Sequence, residues 1–281
     1  MRDDAPATLR AICEANLAAY ILHCAGTPQG ARHDEPALAW GCSGIGEPFL
    51  NSVVRTHFVD AGDTSDTSDT SDAAAALDEA ITATLAVFQQ RALPCFWWIM
   101  PSTEPQDLAG RLLAHGLTHY RNLPAMTVDL NKLPETVATP PGTTITSVGD
   151  TATLRDWNEA LGATLSWSPK QRAAFLALHE QLGVTGDTQP YHLYLARLDG
   201  VPVATSALLL GGGVAGIYWV STRPEARRQG IGAAVTLAAL QAARAHGYRL
   251  GTLQATTMGY PVYQRLGFTE QCRMGVYEWE P

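Results

Sequence analysis

The sequence predicts an α/β (α+β) chain of two domains. Three observations predict it. The length, 281 residues, exceeds what one core of ordinary size needs. Strand-like and helix-like patterns alternate along the whole chain. The stretch "NKLPETVATPPGT" (Asn131–Thr143) breaks the alternation with three prolines and a glycine and no apolar period, as a linker does. The expected division is 1–130, a linker at 131–142, and 143–281.

In the first domain a helix is expected over Thr8–Leu22 and a strand over Ala37–Gly41. "DTSDTSDTSD" (Asp63–Asp72) is a tandem repeat that buries nothing apolar, so it is expected to be a disordered loop. "AAAALDEAITATLAVFQQRA" is a helix, with Leu77, Ile81, Leu85 and Phe88 on one face. "CFWWIM" is a buried strand, and its Trp97-Trp98 pair reads as core. "PQDLAGRLLAHG" is a helix ended by Gly116, and "AMTVDL" a last strand.

In the second domain "TTITSVG" is a strand, followed by helices at Thr153–Leu165 and Pro169–Leu182. "YHLYLARLDGVPVATSALLLGGGVAGIYWVST" reads as three antiparallel strands, turned at Asp199-Gly200 and at Gly211–Gly213. A helix to Gly247 follows, then the strand "YRLGTLQAT", the short helix "YPVYQRLG" and the closing strand "CRMGVYEW".

Composition narrows the function. The chain is 46% hydrophobic and 16% charged, an ordinary globular balance. No window approaches the roughly 20 apolar residues of a membrane span, so no membrane partner is expected. Asp3 and Asp4 stand where a secretion signal would carry basic residues. Cys13, Cys24, Cys42, Cys95 and Cys272 are odd in number and widely spaced, as free thiols in a reducing cytoplasm are. The net charge is −8; residues 1–142 carry −9 and residues 143–281 carry +1. Neither half has the basic stripe that nucleic acid requires. No metal site is expected: His115 and His119 are four apart, but Gly116 breaks the helix that would align them.

Against that background "RPEARRQGIGAAV" (Arg223–Val235) gathers three arginines and two glycines between a strand and a helix. A helix start offers unpaired N–H groups and a partial positive charge, which suits an anion and above all phosphate. Gly230 and Gly232 leave room for that anion, and Arg227 and Arg228 add forked donors. No Lys follows as in a P-loop, and Val235 stands where a dinucleotide fingerprint needs a third glycine. Alone, the stretch also fits a plain helix start with solvated arginines.

The string "PEARRQGIGA" resembles the coenzyme A pyrophosphate loop of the GNAT acetyltransferase superfamily, R/Q-x-x-G-x-G/A, through Arg227, Gly230 and Gly232. "MGYPVYQRLGFTEQ" resembles the family's second signature through Tyr263, Leu266, Gly267 and Phe268. The resemblance covers 143–281. The first domain, in which "RLLAHGL" stands where "YQRLGF" stands in the second, is similar to a degenerate copy without the R-x-x-G-x-G loop.

The resemblance implies two mixed, mostly antiparallel sheets flanked by helices. In the second domain the family's fourth and fifth strands would splay. It implies acetyl-CoA as co-substrate, with pantetheine against Val220, Ser221 and Thr222. The backbone of Arg227, Arg228, Gln229, Gly230, Ile231, Gly232 and Ala233 would hold the pyrophosphate. Tyr263 would be the general acid, since a phenol is protonated at neutral pH and can donate to the departing thiolate. The usual glutamate base is missing: the strand carries Gly216, Ile217, Tyr218 and Trp219. Ordered water, His192 or Tyr218 could replace it. Thr256 and Thr257 stand where the family often has a cofactor-binding asparagine. The acceptor, a small-molecule or peptide amine, would lie over "LGATLSWSP", where Trp167 either stacks on it or anchors the core. An N-acetyltransferase, monomeric or homodimeric, is implied; the alternative is a non-catalytic acyl-CoA-binding sensor.

Overall fold

The computed structural model describes residues 6–58, 69–184 and 190–281, with backbone alone for 69–74. The elements begin with α1 (Pro6–Cys24), β1 (Ala31–Asp34), β2 (Leu38–Cys42), β3 (Asn51–Thr56), α2 (Asp69–Gln90), β4 (Cys95–Ile99), α3 (Leu108–Ala114) and β5 (Thr118–Asp129). They continue with β6 (Thr143–Ser147), α4 (Thr151–Thr164), α5 (Pro169–Gln181), β7 (Tyr191–Leu198), β8 (Val201–Gly211), β9 (Val214–Thr222), α6 (Ile231–Ala245), β10 (Leu250–Gln254), α7 (Tyr260–Arg265) and β11 (Thr269–Trp279).

The chain forms two compact units, cut differently from the expected 1–130 and 143–281. The first comprises Met1–Tyr20 and Pro124–Cys272; the second comprises Ile21–Leu123 and Arg273–Pro281. The reason is an exchange of closing strands. In the first unit β10 pairs antiparallel with the end of β5, Gln254 opposite Ala125 and Leu250 opposite Asp129. In the second unit β4 pairs antiparallel with the end of β11, Ile99 opposite Gly275 and Cys95 opposite Trp279. A linear reading assigns each strand to its sequence neighbours and misses this.

The first unit holds the strands in the order β5-β10-β9-β8-β7-β6. β6 to β9 are antiparallel neighbours. The β7–β8 turn has Asp199 and Gly200 both in the left-handed region (φ +50° and +83°), as a two-residue hairpin of matching twist requires. Helices α4 and α5 both start on capping boxes, Asp150 with Thr153 and Ser168 with Gln171, and Pro169 pre-sets the first turn of α5. Ala215, Ile217, Leu237, Leu240, Leu253 and Phe268 form the main core between sheet and α6.

The expected linker is part of this core. Leu133 is buried and Val137 packs against the same cluster. Gln241 Nε2 donates to the Glu135 carbonyl at 2.8 Å. The prolines stop regular structure here, but they leave Leu133 and Val137 free to bury apolar surface, so the segment straps α6 instead of tethering domains.

The second unit has the order β1-β2-β3-β4-β11. As in the first unit, antiparallel strands lead into one parallel pair, here β3 with β4. Leu77, Ile81, Leu85 and Phe88 are buried as their spacing predicts. Trp97 and Trp98 are core residues, their indole N–H groups donating to Thr56 Oγ1 and Ser52 Oγ. The expected loop at Asp63–Asp72 is corrected in its last part, because α2 starts at Asp69; residues 63–68 lie outside the described residues.

Candidate functional site

The site is built where β9 and β10 part. These strands pair in parallel at two positions, Ala215 with Gly251 and Gly216 with Thr252. Beyond Gly216, β9 is held by β8 and β10 by β5, so the two diverge. A β-bulge accompanies the divergence: Tyr218 opposes Ala207 and Ser221 opposes Thr205, which leaves Trp219 and Val220 facing Ser206 alone. Trp219 takes φ +50°, a strained conformation for a bulky residue. The Thr205 hydroxyl donates to the Trp219 carbonyl at 2.8 Å and fixes the bulge from β8.

At the end of β9 the chain makes a 3-10 turn, Pro224–Ala226, and enters α6. Ala226 and Ile231 are buried in one cluster with Val203, Ala204 and Val235, which pins both ends of the loop between them. Within it Arg228 (φ +59°) and Gly230 (φ +81°) are left-handed. The first backbone bond of α6 runs from the Ala234 N–H to the Gly230 carbonyl. No side chain caps the helix, so the N–H groups of Ile231, Gly232 and Ala233 stand at its open end.

The predicted cofactor residues come together here. Val220 packs against the main core, on the α6 side of the sheet. Ser221 is buried and its Oγ has no hydrogen-bond partner among the described residues; the same holds for Gln254 Nε2 at the end of β10. Arg227 turns back, its Nε donating to the Thr222 carbonyl at 2.9 Å. Arg228 and Gln229 are exposed, and Gln229 Nε2 donates to the Glu225 carbonyl at 3.2 Å. A Cβ on Gly232 would lie 2.8 Å from Thr222 Oγ1, so the missing side chain keeps open the gap between strand end and helix start. A Cβ on Gly230 would overlap the Ala138 carbonyl of the strap. Gly230→Ala is therefore expected to cost more than about 1 kcal/mol of stability, read from urea unfolding, because it adds both strain and a backbone clash.

Tyr263 is buried in the core cluster that Val220 packs against, with Phe268 at 5.8 Å between ring centroids. Burial holds its hydroxyl well above the ordinary phenol pKa. α7 closes with Gly267 at φ +95° and the Phe268 N–H on the Tyr263 carbonyl at 3.0 Å. α3 closes the same way, with Gly116 at φ +86° and the Leu117 N–H on the Leu112 carbonyl at 3.0 Å. Leu112 thus occupies in the second unit the place Tyr263 has in the first, without a hydroxyl.

Other sequence candidates fall elsewhere. His192 stacks on His246, just past the far end of α6 from the loop. The Tyr218 hydroxyl donates to Asn16 Oδ1 at 2.6 Å. Trp167 is 8% exposed and packs on Phe175 and Trp219, so the core role holds and stacking on a ligand does not. The Thr256 hydroxyl accepts from the Gly259 N–H at 3.1 Å and starts α7. His115 meets Asp78, and His119 meets Asn122. Among the described residues no group of three or more His, Cys, Asp or Glu could hold a metal, and no helix is long and apolar enough to cross a membrane. All five cysteines are free thiols.

Sequence reasoning missed Asn16 and Tyr20. They lie on one face of α1, four residues apart, and both reach β9: Asn16 Nδ2 also donates to the Gly211 and Val214 carbonyls. The available signal was a polar residue and a tyrosine on an otherwise apolar helix face. Nothing local says that they meet a strand about 200 positions away.

Comparison with known proteins agrees with this geometry. The sequence model of the acetyltransferase (GNAT) family matches residues 154–268. The structure is similar to a GCN5-related N-acetyltransferase from Kribbella flavida, at 22% identity and a TM-score of 0.64, covering 95% of this chain and 94% of that one. It is similar to another from Sphaerobacter thermophilus, at 16% identity and a TM-score of 0.62, covering 98% and 93%. A tandem GNAT protein from the clavulanic acid biosynthesis pathway matches at 15% identity and a TM-score of 0.60, over 99% and 96%. These likenesses extend the fold to the whole chain. No curated protein matches it by sequence.

Proposed function

Because this chain carries a domain of the GNAT acetyltransferase family at residues 154–268, we propose that it is an N-acetyltransferase (EC 2.3.1 class) moving an acetyl group from acetyl-CoA to a primary amine. The observation that carries the reading is the uncapped start of α6 beside a strand that leaves its parallel neighbour after two pairs. Acetyl-CoA, when bound, supplies an activated thioester. Its pyrophosphate suits the N–H groups of Gly232 and Ala233, where the helix dipole favours negative charge. The unpaired edge of β9 near Val220 and Thr222 can bond an extended pantetheine arm as a further strand would. The orphaned Ser221 hydroxyl and Gln254 amide offer polar contacts in the splay. Backbone N–H at the Trp219 bulge can stabilise charge developing on the thioester oxygen. Tyr263 holds the proton that the departing sulfur needs.

The acceptor is a small-molecule or peptide amine with an apolar body. No acidic residue lies in "LGATLSWSP" (Leu161–Pro169), so a polycationic acceptor is not favoured. The protein is expected to work as a monomer or homodimer in a reducing cytoplasm. The alternative, a non-catalytic acyl-CoA-binding module, draws on the absence of a carboxylate along β9.

Calorimetry with acetyl-CoA is expected to show micromolar binding near one per chain. Two per chain would give the other unit a site of its own, and none would withdraw the proposal. A panel of phenethylamine, tryptamine, spermidine, kanamycin and a short peptide then tests transfer. Acetylation of any amine excludes the non-catalytic reading.

A further inference from the structure

Behind the bulge a row of buried polar groups runs away from Trp219. Its indole Nε1–H donates to the Tyr20 hydroxyl. Tyr20 Oη lies 3.4 Å from Tyr191 Oη, and Tyr191 Oη lies 3.2 Å from His179 Nε2. His179 Nδ1 lies 2.8 Å from the Phe175 carbonyl. Tyr20, Tyr191 and His179 are each at most 1% exposed.

With the imidazole neutral, the two ends set one consistent direction for the hydrogens. An indole N–H can only donate, and a carbonyl can only accept. His179 Nδ1 must therefore carry its proton, which leaves Nε2 of the neutral imidazole as an acceptor. Tyr191 gives its hydrogen to Nε2, so its oxygen accepts from Tyr20. The Tyr20 oxygen then accepts from Trp219. Reversing any one bond would set two donors or two acceptors against each other. Such a row holds its members in one arrangement more firmly than separate bonds would.

The row ends on the residue at which the β8–β9 register is broken. Ser206 alone faces Trp219 and Val220 from β8. Tyr20 stacks on Tyr218 at 3.8 Å between centroids, while Asn16 holds the Tyr218 hydroxyl. Two residues of α1, one turn apart, thus grip the two residues that form the corner of β9.

We propose that Tyr20, Tyr191 and His179 are positioning residues that hold the Trp219 bulge in its productive conformation, with His179 setting the direction of the row from its far end. The proposal rests on the acetyltransferase reading above. Their bonds described above run to one another, to the Trp219 indole and to the Phe175 carbonyl, so their loss is expected to act on transfer more than on acetyl-CoA binding.

The test compares wild type with Tyr20→Phe, His179→Leu and His179→Gln, the last able to accept from Tyr191 through its amide oxygen. Two readouts are taken. One is exchange of the Trp219 indole N–H by 15N NMR, which needs no activity. The other is the split between kcat and KM with the best amine of the panel. Tyr20→Phe and His179→Leu are expected to speed indole exchange at least about tenfold and lower kcat about tenfold or more. KM for acetyl-CoA should move less than about twofold, and His179→Gln should recover most of kcat. Indole exchange unmoved by His179→Leu overturns the proposal, because the far end then does not govern the bulge. Equal losses in His179→Leu and His179→Gln overturn it in favour of plain packing. Wild type that binds no acetyl-CoA removes the acetyltransferase reading and this role with it. Wild type that binds and transfers, beside variants with unchanged kcat, overturns the positioning role alone.

Discussion

Gly232→Arg is expected to bind acetyl-CoA at least about 100-fold more weakly than wild type, a loss of about 2.7 kcal/mol. Gly232 sits in the first turn of α6, where its N–H is among the open donors. A Cβ there points at Thr222 Oγ1, 2.8 Å away, across the gap that a pyrophosphate would have to enter. The arginine chain would fill that gap, and its positive charge would not compensate, because the bonds to the anion come from backbone groups it covers. The position is half-buried, and arginine is a better helix former than glycine, so folding should survive. Calorimetry and thermal unfolding on the same samples separate the two effects. Binding as tight as wild type in a folded variant would place the cofactor elsewhere.

Tyr263→Phe is expected to lower kcat about 100-fold while the acetyl-CoA dissociation constant changes less than about twofold. The ring stays in the core with Phe268 and loses its hydroxyl alone, so stability should change little. The direction of the pKa shift adds a second expectation. Burial penalises the phenolate, so the proton is retained to a higher pH than on a free tyrosine. An alkaline fall of kcat at or below about pH 10, the ordinary tyrosine range, should therefore belong to another group and persist in kcat of Tyr263→Phe. Unchanged turnover in this variant would mean that the thiolate leaves unaided and that Tyr263 is a packed core residue.

The secondary structure of residues 143–281 was legible because each element carries its own local signal. The two capping boxes, Asp199-Gly200 and the apolar spacing in α6 all act within a few residues. The elements that went unread lack such signals. β1 is the polar run Ala31–Asp34, and its alternating half-exposed and exposed residues give no apolar period. β3 follows Pro48 closely and is almost wholly buried, so it alternates in nothing. The start of β5, Thr118 to Asn122, is exposed and reads as loop. These three are held by pairing with neighbours, which a local pattern does not record.

The site divides in the same way. The uncapped helix start with Arg227, Gly230 and Gly232 was readable because a glycine-rich strand-to-helix loop is a local pattern at fixed spacing. So was the position of Tyr263, whose helix and closing glycine stand within the eight residues Tyr260 to Gly267. The unpaired polar atoms of Ser221 and Gln254, the strained Trp219 and its support by Asn16 and Tyr20 were not. Each depends on which strand lies beside which, and on a helix at the opposite end of the chain.

The sequence by itself determined the helices, the hairpins of the second half and the loop beside α6, since short-range sterics, capping and periodicity suffice for them. The tertiary structure alone decided the exchange of β5 and β11 between units, the splay of β9 from β10, and the burial of Asn16, Tyr20, Tyr191 and His179 behind the bulge. Those features come from burying apolar surface and satisfying polar groups between segments as much as 202 residues apart, and that free energy depends on distances in space that no local pattern carries.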